Sequence, residues 1–141
     1  MRKNNKIDEA AVIVPYNSRK EVLLQLRDIE PGINTWVLFG GKIEKGEKPE
    51  ETLKRELKEE LEWNIKNFTL FNVYLPNLTK NQERKLFVYM TPLESIKNFK
   101  IHEGFKFNFF SKEELKNIKL GFDFERILND FYQIIKNNKG L

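Results

Sequence analysis

Cysteine is absent from this 141-residue chain, and histidine occurs once, at His102. Without thiols there are no disulfides, thiolate metal sites or cysteine nucleophiles, and one imidazole cannot furnish a zinc centre. Nor does a serine–histidine constellation stand out. No run of apolar residues approaches the roughly 18 that a membrane-spanning helix needs. Met1-Arg2-Lys3-Asn4-Asn5-Lys6 has no apolar secretory core, so the expectation is a cytoplasmic protein with no membrane partner. In that setting the sequons Asn67-Phe68-Thr69 and Asn77-Leu78-Thr79 carry no meaning. Charge of one sign is lacking too. The chain has 25 Lys and Arg against 21 Asp and Glu, a net +4, and its basic pairs are scattered, as in Glu83-Arg84-Lys85. That balance suits a small anionic substrate and gives no stripe for polymeric nucleic acid. Repeats, low-complexity tracts and linkers are missing, so the chain reads as a single domain over residues 1–141, with residues 1–7 a frayed tail.

What the sequence does have is short apolar runs parted by turn residues. Ala10 to Tyr16 and Val22 to Leu26 read as strands around an Asn17-Ser18 turn. Asp28 to Asn34, with Pro31-Gly32, reads as a loop flanking a substrate pocket, and Trp36-Val37-Leu38 as a short strand. Phe68 to Tyr74 and Lys85 to Met90 form a further strand pair, joined through Pro76-Asn77 and Asn81. Phe105 to Phe110 is another strand, and Ser111-Lys112-Glu113-Glu114 opens a short helix with a capping box. Asp123 to Lys136 forms a closing helix with Ile127, Phe131, Ile134 and Ile135 on its apolar side. Strands interleaved with two main helices predict an α/β (α+β) sandwich. The twelve phenylalanines are assigned to its core rather than to a base-stacking platform.

The chemistry concentrates between Gly41 and Trp63. Pro49 suits the first turn of a helix, and Glu50 and Glu51 favour its positive end. Leu53, Leu57 and Leu61 make one apolar stripe, at about 0°, 40° and 80° on a helical wheel. Glu59, Glu56 and Glu60 fall at about 240°, 300° and 340°, a shared sector that borders the stripe. Lys54 and Lys58 project elsewhere, near roughly 100° and 140°. Glu50–Lys54 and Glu51–Arg55 fit ordinary i,i+4 surface pairs. Glu56, Glu59 and Glu60 fit that account badly, because like carboxylates beside a core face repel unless a cation intervenes. Oxygen-only ligands point to Mg²⁺ or Mn²⁺ rather than zinc.

Just upstream, Phe39-Gly40-Gly41 leads out of an apolar run. Paired glycines let a backbone approach a ligand or metal closely, and otherwise make a tight turn. Gly41 and Gly46 have the spacing that opens a P-loop, but Glu47 and Lys48 stand where Lys and Ser or Thr are required.

The segment from Gly41 to Trp63 resembles the Nudix box, G-x5-E-x7-R-E-U-x-E-E-x-G-U, with U a bulky apolar residue. Gly41, Glu47, Arg55, Glu56, Leu57, Glu59, Glu60 and Trp63 all match in register. Two positions depart. Glu62 replaces the glycine at the helix end, where a left-handed residue costs on the order of 1 kcal/mol, unless Asn64 terminates a slightly longer helix. Phe39 replaces the proline common before the glycine pair, and Phe39-Gly40-Gly41-Lys42 is similar to some Nudix hydrolases of oxidised purine triphosphates.

The resemblance implies a mixed sheet between helices and a set of roles. Glu56, Glu59 and Glu60, with the Gly40 carbonyl, would ligate Mg²⁺, with Mn²⁺ as a substitute. Arg55 would orient the acids, and Gly41 and Glu47 would support the loop. The catalytic set is Glu56, Glu59, Glu60, Arg55 and Glu103, with Glu56 and Glu103 the two candidates for general base. The reaction it implies is hydrolysis of a nucleoside diphosphate linked to another group, in a nucleoside triphosphate, a nucleotide sugar or ADP-ribose. A non-catalytic nucleotide-binding regulatory module is the alternative, and a decapping-type RNA enzyme a third.

Overall fold

A computed structural model describes residues 8–77, 79, 83–102 and 105–137. The expected tail at residues 1–7, together with Asn81, Glu103 and Gly104, lies outside the described residues. In chain order the elements are β1 (Glu9–Tyr16), β2 (Val22–Leu26), β3 (Trp36–Val37), β4 (Phe39–Lys42), α1 (Pro49–Leu61), β5 (Thr69–Tyr74), β6 (Lys85–Pro92), β7 (Phe107–Phe110) and α2 (Phe124–Asn137). A 3₁₀ turn over Glu114–Asn117 precedes α2. Its start carries the expected capping box: Ser111 N–H donates to Glu114 at 2.8 Å and Glu114 N–H to Ser111 Oγ at 3.1 Å.

β1 is the centre of the sheet. It runs parallel to β6 in unbroken register from Glu9↔Lys85 to Tyr16↔Pro92, and β5 lies antiparallel on the far side of β6. The other edge of β1 is forked. Tyr16 pairs with Val22 of β2, whereas Ala10 to Ile13 pair with β4. β3 pairs with Gln25 and Leu26 of β2, so residues 36–42 are wedged between β1 and β2. Gln25 is in register with both Val37 and Phe107, which places β3 and β7 on opposite edges of β2.

Alternation along β1 explains its unbroken apolar sequence. Ala10, Val12, Val14 and Tyr16 face one core layer and Ala11 and Ile13 the other, as expected of a strand covered on both faces. The first layer is closed by α2 through Phe124, Ile127, Leu128, Phe131, Tyr132 and Ile135. The second is closed by α1 through Leu53, Leu57 and Leu61, all at most 1% exposed. Phenylalanines do serve mainly as core: Phe39 meets Phe107 edge-on at 5.3 Å, and Phe110 meets Trp36 at 4.8 Å. Phe122 is an exception, 41% exposed beneath the guanidinium of Arg27.

Several boundaries differ from expectation. β7 starts at Phe107 rather than Phe105, and β6 continues past Met90 to Pro92, since β1 offers it partners that far. The glycine pair belongs to a strand rather than a loop, because β1 hydrogen-bonds β4 across Val12↔Gly40 and Ala11↔Gly41. The proposed i,i+4 pairs give way to other partners, one across the fold and one in the capping box at the helix start. Glu50 accepts the Tyr89 hydroxyl at 2.8 Å, and Glu51 accepts the Lys48 N–H at 2.8 Å. Glu62 itself takes the left-handed conformation, φ 53°, so α1 ends there and not at Asn64.

Candidate active site

Gly40, with φ +143°, is the hinge on which β4 meets β1. A Cβ there would lie 2.0 Å from the Ala11 carbonyl oxygen, so only glycine permits the strands to close. At Gly41 the missing Cβ has a different neighbour: it would sit 2.5 Å from the Glu56 carboxyl carbon. The pair thus uses its freedom to pack against β1 and to seat a glutamate of α1, a job the linear sequence could not distinguish from contact with a ligand.

Arg55 joins the loop after β4 to α1. Its Nε donates to Glu47 Oε2 at 2.7 Å and its Nη2 to Glu47 Oε1 at 3.0 Å, a bidentate pair. Glu47 also accepts from Thr52 Oγ1 at 2.7 Å and from the Glu44 N–H at 3.0 Å. The Arg55 guanidinium, with the Thr52 and Glu44 donors, holds the Glu47 carboxyl down to about 2. Glu47 in turn keeps Arg55 firmly protonated. The opposite edge of the guanidinium reaches the acids: Nη1 lies 2.8 Å from Glu56 Oε2 and 3.5 Å from Glu59 Oε1. Thr52, fully buried, is a brace that sequence reasoning missed; its position between the acidic first turn and the leucine stripe was the only signal available.

The three carboxylates have unequal surroundings. Glu59 leaves 61% of its side chain exposed and Glu56 only 22%. Burial raises the Glu56 carboxyl above its ordinary value, against the lowering pull of Arg55. Glu60 is raised further, to about 7, by burial first and then by the charges of Glu56 and Glu59. Its Oε1 is buried with no hydrogen-bond partner among the described residues. Among the described residues no three His, Cys, Asp or Glu side chains converge into a preformed ion site. The oxygen-only donors, the partnerless Glu60 oxygen and the seat on Gly41 nevertheless fit a hard divalent cation, with Arg55 holding the side chains that would turn toward it. His102 is exposed beside Phe105, 5.6 Å between ring centres, and Glu103 lies outside the described residues.

A partly buried acid cluster on one helix, braced by a bidentate arginine and backed by a glycine seat, has the donor chemistry of a divalent-cation site. The NUDIX domain family model matches residues 6–131, so the chain belongs to the Nudix family. No curated protein matches it. Among solved structures, a MutT/nudix family protein from Enterococcus faecalis shares 20% identity at a TM-score of 0.76. That alignment covers 97% of this chain and 65% of the other, so this chain spans less than two thirds of that protein. The NUDIX domain of Shewanella oneidensis NrtR, complexed with ADP ribose, aligns at 18% identity and a TM-score of 0.72, covering 95% of this chain and 90% of that one. MutT from Aliivibrio salmonicida and Vibrio cholerae aligns at 20% identity and 0.63, over 82% and 88%. Identities this low establish the mixed sheet between helices and nothing finer. No helix among the described residues is long and apolar enough to cross a membrane.

Proposed function

We propose that the protein hydrolyses a diphosphate bond in a small nucleotide, converting a nucleoside diphosphate linked to a group X, plus water, to a nucleoside monophosphate and phosphorylated X. The observation that carries this reading is the buried, partnerless Oε1 of Glu60 beside two further carboxylates on the same helix. A lone buried carboxylate with a raised pKa is costly, and a divalent cation removes that cost. Glu56, Glu59 and Glu60, with the Gly40 carbonyl, are the proposed ligands of Mg²⁺, for which Mn²⁺ substitutes. When bound, the cation supplies neutralisation of the diphosphate and acidification of water.

The residues of the chain do the rest. Arg55, clamped by Glu47, fixes the direction of Glu56 and Glu59. Glu56, raised by burial yet held by Arg55, is one proposed base, taking a proton from water at its carboxylate; Glu103 is the other. The substrate classes are nucleoside triphosphates including oxidised ones, nucleotide sugars and ADP-ribose, the last also the ligand in the Shewanella NUDIX domain.

The test is a panel of these substrates with Mg²⁺ or Mn²⁺, every product identified. Release of a nucleoside monophosphate from one class is the expected result. Binding without turnover across the panel would refute catalysis and leave a nucleotide-binding module. A Glu59→Gln/Glu60→Gln variant that kept its cation-dependent turnover would remove the ligand assignment.

A further inference from the structure

Glu62, standing where the box has glycine, has a compensating partner far along the chain. It closes α1 at φ 53° and ψ 33°, a conformation in which a side chain crowds the backbone. Helix ends fray first, and this last turn carries Glu59 and Glu60, whose charges oppose one another. Three carbonyls at that end are nonetheless occupied. The Trp63 N–H donates to Leu57 at 3.2 Å, the Glu62 N–H to Lys58 at 2.9 Å, and the Lys100 N–H to Leu61 at 3.0 Å.

Lys100 belongs to the segment between β6 and β7, and that segment makes further contacts with the helix end. Phe99 stacks on Trp63 with ring centres 4.8 Å apart, and Lys100 Nζ lies 3.2 Å from Glu62. The segment is anchored at its start as well, where the Leu93 N–H donates to Tyr16 at 2.7 Å and Leu93 and Ile96 pack against the core layer of α1. The Lys100 and Glu62 side chains are 64% and 62% exposed, so their ion pair is the weakest part of the tie. The ring contact and the backbone hydrogen bond are its substance.

We propose that residues 93–100 form a positioning strap, acting through Phe99 and the Lys100 N–H, that holds the last turn of α1 in the arrangement Glu59 and Glu60 need to bind a cation. The strap takes over the task that glycine performs at the position of Glu62. This inference rests on the reading of the α1 carboxylates as cation ligands.

The experiment compares wild type, Phe99→Ala and Phe99→Ala/Glu62→Gly by two readouts. One is Mn²⁺ affinity, followed by the electron paramagnetic resonance of free Mn²⁺; the other is amide exchange of Glu60 to Trp63 in the metal-free protein. Phe99→Ala should weaken Mn²⁺ binding about ten-fold, the scale of losing a residue that orients a ligand, and should speed exchange in that turn. Adding Glu62→Gly should recover most of both, because glycine takes the left-handed conformation without strain. A contact that is only structural would lower stability and leave the affinity of the folded protein unchanged; that result, or failure of the rescue, overturns the proposal. If Phe99→Ala does not fold, Trp63→Leu opens the same contact from the helix side and is held to the same outcomes. Wild type that binds no Mn²⁺ would instead sink the ligand reading itself, and the positioning role with it.

Discussion

Glu60→Gln should stabilise the metal-free protein at alkaline pH. The wild-type carboxyl moves from an ordinary value of 4.5 to about 7 on folding, chiefly through burial. A folded-state pKa above the unfolded one means that the folded protein holds this proton more tightly. The associated stability is fully present below about pH 4.5 and is lost as pH rises through about 7. At pH 8 the metal-free wild type therefore carries an ionised, half-buried carboxylate with one orphaned oxygen. The full shift corresponds to roughly 3 kcal/mol at 1.36 kcal/mol per unit, and relaxation of Glu56 and Glu59 around it brings the expectation to roughly 2–3 kcal/mol. Glutamine is neutral throughout, so in EDTA at pH 8 the variant should melt about 6–12 °C above wild type. At pH 4 the difference should nearly vanish. Adding Mg²⁺ should reverse the order at pH 8, raising wild type and leaving the variant where it was. Thermal unfolding at both pH values, with and without the cation, reads all four arms. A metal-free variant no more stable than wild type at pH 8 would refute the reasoning, since the carboxylate would then not be under strain.

Gly40→Ala should be among the most damaging substitutions, costing about 3 kcal/mol or more, because the new Cβ would have to displace the Ala11 backbone; denaturant unfolding measures it. Arg55→Lys keeps the charge but loses the fork to Glu47 and the reach to Glu56, so cation affinity or turnover should fall about 10–100-fold with little change in fold. Leu57→Ala, at a fully buried position, should destabilise by about 3–5 kcal/mol in equilibrium unfolding, and a loss under 1 kcal/mol would contradict the packing described for α1.

Much of this site is local, and local features can be read along a chain. The leucines at four-residue spacing and the acids on the neighbouring sector depend only on helical geometry, so the orientation of Glu56 and Glu60 relative to the core follows from the order of residues. The same holds for β1 and β6, whose continuous apolar runs announce strands buried on both faces. Arg55 shows where such reading stops. Spacing offered it Glu51 one turn back, yet Glu47, held in place by Thr52 and the Glu44 N–H, presents both oxygens to the fork and wins. Glu51 is meanwhile engaged by the Lys48 N–H.

By itself, then, the sequence determined the two helices, most of the strands, the family and the acid sector, because each is set by periodicity or by fixed spacing over a few turns. Tertiary structure alone decided that Gly40 yields to the Ala11 carbonyl and Gly41 to Glu56, that β3 and β4 wedge between β1 and β2, and that Phe99 and Lys100 secure the end of α1. Those contacts join residues 10 to 39 positions apart, and which of many chemically similar partners meets which is settled only when the chain packs.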